Sequence, residues 1–149
     1  MVESMKKFMK VGLIHFMAYP NTMKGEGPIE ETVKKICTDS YFDAIEVTWI
    51  KDPAVRTKIK KLIETSHMTV AYGGQPRMLT TGRNINDLDE KKRLEALASL
   101  KEGIDEAYEI GAVGFGFLSN TKRQPKKSLT RLWLNPPASC ANTQNPKGI

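Results

Sequence analysis

The chain has 149 residues, 40% of them hydrophobic and 27% charged, which is enough for one domain with a sizeable core. Its formal charge of +6 would suggest a nucleic-acid partner, yet residues 1–109 carry 17 Lys/Arg and 17 Asp/Glu, whereas residues 110–149 carry six basic residues and no acid. The excess is a property of the tail, so no specific nucleic-acid partner is expected, and the lack of any run of about 18 apolar residues leaves no membrane-spanning helix.

Residues 10–16, Lys-Val-Gly-Leu-Ile-His-Phe, form a short apolar run followed by a loop with Pro20, Asn21 and two glycines, read as a first strand and its loop. Pro28 suits the opening of a helix, and Ile29, Val33, Ile36 and Cys37 fall on one stripe of it. Residues 42–49, Phe-Asp-Ala-Ile-Glu-Val-Thr-Trp, read as a second strand. Asp52 caps and Pro53 opens a second helix with Val55, Ile59, Leu62 and Ile63 on its stripe, ending near Ser66. Residues 68–72 read as a third strand. A long polar loop over residues 73–87 follows, a plausible lid in which Arg77 and Arg83 are solvated or meet a phosphate.

Asp87 or Asp89 starts a third helix, whose Leu94, Leu97, Leu100, Ile104, Ala107 and Tyr108 form the expected core stripe and whose end is Gly111. Residues 112–118 read as a fourth strand. Apolar rather than alternating strands in the order βαβαβαβ predict an α/β fold with a parallel sheet. Right-handed crossovers between neighbouring strands would place the three helices on one side, as in a partial (βα)8 TIM barrel.

From Thr121 the character changes. Residues 125–149 hold Pro125, Pro136, Pro137 and Pro146, no acid and no helical stripe. The division expected is therefore half a barrel domain over residues 1–120 and an irregular basic tail over residues 121–149. The tail is a natural basic extension, a disordered linker, or a stretch translated in the wrong frame. Synonymous codons for residues 126–148, read from one nucleotide upstream, permit KEIADALVAESTCQLCEYAKSKG, an acidic, proline-free helix former that ends in glycine. Half a barrel leaves strands one and four as open edges, which invites pairing of two copies. Cys37 and Cys140 stand far apart with no CxxC, so neither a zinc site nor a disulfide framework is indicated. The short apolar run near the start lacks a small-residue cleavage site, and a cytoplasmic protein is expected.

The opening Lys10-Val-Gly-Leu-Ile strand, the Phe42-Asp-Ala-Ile-Glu46-Val47 strand, the third strand ending near Tyr72, and Ala107-Tyr-Glu-Ile-Gly-Ala112 before the fourth together resemble the xylose-isomerase-like TIM-barrel superfamily of sugar phosphate isomerases and epimerases, over about residues 9–120. The resemblance implies a divalent-metal enzyme, using Mn or Mg, that moves a proton between adjacent carbons of a sugar or sugar phosphate. It also implies that the Glu, Asp, His and Glu metal ligands come from later strands, so no residue here is assigned to metal, and this half alone is expected to be inactive.

Functional side chains of such barrels sit at the C-terminal ends of strands and in the loops that follow. That leaves His15 and Phe16, Glu46 and Trp49, Tyr72 and Gln75, and Phe117 and Ser119 as one wall of a pocket. Glu46 is the catalytic candidate, because a carboxylate inside an apolar strand is costly to bury unless paired and it stands where the superfamily's second-strand Glu usually stands; pairing with a Lys or Arg is the structural alternative. His15, Trp49, Tyr72 and Gln75 are the substrate-binding candidates, by hydrogen bonding to or stacking on a sugar; a satisfied structural role for His15 and core packing of Trp49 and Tyr72 are the structural alternatives. His67 reads as structural. The rival function is a non-catalytic half-barrel that dimerises and binds a small molecule or partner. The superfamily's abasic-DNA endonucleases use several metal-binding histidines, and this chain has two histidines.

Overall fold

In a computed structural model, residues 5–118 are described. Strands β1 (Gly12–Ile14), β2 (Ala44–Val47), β3 (Thr69–Gly73) and β4 (Phe115–Gly116) form one sheet in the order β1-β2-β3-β4, every neighbouring pair parallel. The helices are α1 (His15–Ala18), α2 (Ile29–Cys37), α3 (Pro53–Thr65), α4 (Gln75–Thr81) and α5 (Glu90–Ile110). The chain is α/β with four parallel strands, as its apolar strand pattern predicts. The tail over residues 121–149, with Cys140, and the candidate Ser119 lie outside the described residues.

Local chemistry explains most of the boundaries. Asp52 caps α3 by accepting from the Ala54 N–H at 2.8 Å, with Pro53 at the first helical position. Asp89 caps α5 through the Lys91 and Lys92 N–H groups at 3.0 and 3.3 Å. Gly111 closes α5 in the left-handed conformation at φ 83°, where a Cβ is disfavoured.

Ile45, Val47, Val70 and Tyr72 of the strands meet Val33 and Ile36 of α2, Ile59 and Ile63 of α3, and Ala107 and Ile110 of α5 in one buried core. Burying each of the larger aliphatic side chains contributes roughly 1.5–3 kcal/mol. A smaller cluster, Met78 with Ala96 and Leu100, joins α4 to α5. Among the described residues no helix is long and apolar enough to cross a membrane.

Two expectations are corrected. Residues 73–87 are not one long loop, for Pro76 opens α4 and Gly82, at φ 65°, ends it. The core face of α5 is also rotated from its leucine stripe. Leu94, Ile104 and Tyr108 are exposed, while Arg93, Ala96, Leu100, Gly103, Glu106, Ala107 and Ile110 are buried. Ion pairs made by Arg93 and by Glu106 make burial of this polar face tolerable.

Candidate functional site

Successive residues of a strand face opposite sides of a sheet, and the register sorts the candidates. Ile45, Val47, Val70 and Tyr72 join the core with the helices, while Ala44, Glu46, Thr69 and Ala71 alternate with them and are only half-buried. Glu46 is paired in register with Ile14 on one side and Ala71 on the other, so its neighbours on that face are apolar. The carboxylate stands at the C-terminal end of β2.

At this end of the sheet Phe16 of α1 and Gln75, the first residue of α4, converge on Glu46 around Gly73. A Cβ placed on Gly73 would lie 2.5 Å from Glu46 Oε1, 2.6 Å from Gln75 Oε1 and 2.7 Å from Phe16 Cε1. Glycine is thus the residue that leaves room for the three side chains to converge. Burial raises the Glu46 carboxyl above its ordinary value, and the Gln75 amide partly draws it back. Gln75 Oε1 is itself buried and accepts no hydrogen bond from the protein, and such an orphaned acceptor costs free energy until a donor reaches it. Nearby, the Thr48 hydroxyl donates to the Gly73 carbonyl at 2.7 Å, tying β2's exit to β3's.

The remaining candidates lie behind the strand ends, toward the helices. His15 is buried, its Nε2 2.7 Å from the Thr32 hydroxyl of α2, and burial lowers its pKa to about 4. Tyr72 stacks on Phe115 with ring centroids 5.4 Å apart. Burial, then the Glu106 charge, raises its phenol pKa. The Trp49 indole N–H donates to the Met23 carbonyl at 2.9 Å, and both Lys51 and Arg77 lie over its ring, at 5.3 and 5.1 Å. Cation–π contacts therefore already occupy the aromatic surface expected to stack on a sugar.

Arg77 is neither solvated nor free for a phosphate. It is buried, donating to Glu106 Oε2 at 2.7 Å and Glu102 Oε2 at 2.9 Å, and a buried cation requires such partners. Glu106 Oε1 accepts the Ile50 N–H at 2.5 Å. Burial raises the Glu106 carboxyl against the opposing pull of Ile50 and Arg77.

Of the predicted residues, then, the structure brings together Glu46, Gln75 and Phe16, and sets His15, Trp49 and Tyr72 on the helix side. Phe117 lies at β4's exit, partly exposed with its ring centroid 6.1 Å from that of Phe115. Gly73 and Glu106 carry no expected role in the sequence reading, and Arg77 is expected there only as a solvated or phosphate-meeting loop residue. The adjacent glycines at 73 and 74 were the one available signal, since a glycine at a strand end marks close approach. Among the described residues no group of three His, Cys, Asp or Glu side chains could hold a metal ion, and the polar neighbour of Glu46 is an amide. The described residues do not fit the divalent metal that the resemblance implies. Neither a scan of protein-family models nor a search of curated proteins returns a match to this chain.

Proposed function

We propose that the chain carries one wall of a carbohydrate site of the sugar (phosphate) isomerase and epimerase type, on the N-terminal half of a TIM barrel. The orphaned Gln75 Oε1 beside Glu46, over the bare Cα of Gly73, supports this most directly. A sugar hydroxyl is the kind of donor that this acceptor lacks, and two neighbouring acceptors suit two adjacent hydroxyls. Glu46, whose carboxyl burial raises above its ordinary value, is the group placed to take up a proton from a carbon-bound position and return it. Phe16 presents an apolar edge to a sugar C–H. Sequential parallel strands at one end of which these groups meet accord with a barrel half, in which sites lie at the C-terminal strand ends. No step is assigned to a metal, and any ligands for one would come from outside the described residues. By itself this wall is expected to bind more readily than to turn over.

The test is an amide NMR titration of the full chain with ketoses, aldoses and their phosphate esters, paired with deuterium incorporation into the sugar from heavy water in the presence of Mn or Mg. Shifts centred on Gly73 and Gln75, abolished in Gly73→Val, are expected. Sugars that at high millimolar concentration leave these amides unmoved would overturn the proposal, as would an unaltered response in Gly73→Val. Deuterium exchange that is lost in Glu46→Gln would extend it from binding to catalysis.

A second proposal, a non-catalytic half-barrel that dimerises, draws on the sheet's edges. In the described residues β1 and β4 each pair on one side only, and Val113 and Phe117 beside β4 are exposed.

A further inference from the structure

The structure assigns the buried Arg77–Glu106 pair a positioning role, in which it holds the Gln75 amide against Glu46; this rests on taking Glu46 and Gln75 as the site. Gln75 and Arg77 are the first and third residues of α4, and residues two apart on a helix point about 200° away from one another. Drawing Arg77 onto α5 through Glu106 and Glu102, at 2.7 and 2.9 Å, therefore turns Gln75 the other way, toward the cluster over Gly73. At the C-terminal end of the same short helix, Gly82 leaves no long register to compensate for a lost anchor.

Glu106 makes the arrangement specific. Its second oxygen takes the Ile50 N–H at 2.5 Å, three residues beyond the end of β2, the strand that carries Glu46. One carboxylate thus grips both the segment that leaves β2 and the helix that presents Gln75. Trp49, under Arg77 at 5.1 Å and bonded to the Met23 carbonyl at 2.9 Å, extends the grip to the loop after β1. Gly103 of α5, where a Cβ would stand 3.3 Å from Phe115, lets that ring pack closely against the helix beside Arg77.

The experiment follows the Glu46 carboxyl by carbon NMR across pH in the full chain, with no sugar present, so its result is separate from the question of what the site binds. Glu106→Gln keeps an oxygen for Ile50, and Arg77→Met keeps the apolar stem, so the double variant removes the charges without leaving one buried alone. Because the Gln75 amide favours the carboxylate, its release raises the Glu46 pKa. The double variant and Gln75→Met should each raise it by about half a pH unit, and combining all three should add nothing. The buried His15 should titrate as before, whereas general loosening of the fold would move both groups together.

A folded double variant with Glu46 titrating as in the native chain overturns the proposal, and so does Gln75→Met without effect. Should the double variant not fold, Arg77→Lys serves, since it keeps the charge but loses the two-pronged grip. It should move Glu46 the same way by less, and an unmoved Glu46 there is equally decisive against the pair.

Discussion

His15 shows how a single side chain at a strand end can be spent on the fold rather than on a ligand. Its imidazole, 2.7 Å from Thr32, is neutral in the folded chain down to about pH 4 but would protonate near 6.5 when unfolded. Between those values the unfolded chain binds the extra proton, so stability is unaffected by this group above pH 6.5 and declines as pH falls toward 4. The full effect is about 3 kcal/mol. Subtracting the pH-dependent unfolding free energy of His15→Gln from that of the native chain isolates it, because the raised Glu46 and Glu106 carboxyls, which act in the opposite sense, titrate in both proteins. The difference should climb from pH 4 to 6.5 and then level off; a flat profile would mean that the imidazole is not desolvated. This burial was not legible in the sequence, since a residue at a strand end is equally consistent with either face; that of Arg77 was hidden because α4 is too short to show a stripe.

At the scale of elements, legibility followed the strength of local chemistry. Asp52 with Pro53, and Asp89 with the closing Gly111, are capping signals that act within one turn, and they placed α3 and α5 to within a residue or two. Removing one should be felt locally. Asp89→Ala frees the Lys91 and Lys92 N–H groups and should cost about 1 kcal/mol in denaturant unfolding, while Asp89→Ser should recover most of it; equal loss in both would point to the charge rather than the cap. The seven-residue α4 was missed because it is too short to show a stripe and buries Met78 and Arg77 together. The α5 face was misjudged because its leucines are not what it buries. Phe115 and the Arg77 ion pairs select instead the small and charged side of the helix, a tertiary choice that periodicity does not encode.

For the molecule as a whole, the strand order and parallel pairing were legible because four apolar runs separated by helical stripes have few right-handed solutions. The edges are the exposed consequence. Val113 is 78% exposed and Phe117 42%, beside a strand with a free row of backbone groups in the described residues, which is a template for another chain. Light scattering behind a sizing column should find the full chain as a dimer whose population falls on dilution, and Val113→Lys with Phe117→Lys should shift it toward monomer. A monomer at every concentration would remove the second proposal under which two copies pair.

The alternation along the strands divides this protein by parity. In β2, odd positions such as Ile45 and Val47 belong to the core and the even Glu46 to the site, while in β3 the even Val70 and Tyr72 are core and the odd Ala71 and Gly73 face the site. Substitution can therefore alter one surface while nearly sparing the other, so the Glu46 face can change without the scaffold following. Insertion or deletion of a single residue within a strand has no such freedom. It would exchange the two sets at once, turning Glu46 into the hydrophobic layer and an aliphatic side chain onto the face that Glu46 leaves, and so the core and the Glu46–Gln75 cluster would be lost together.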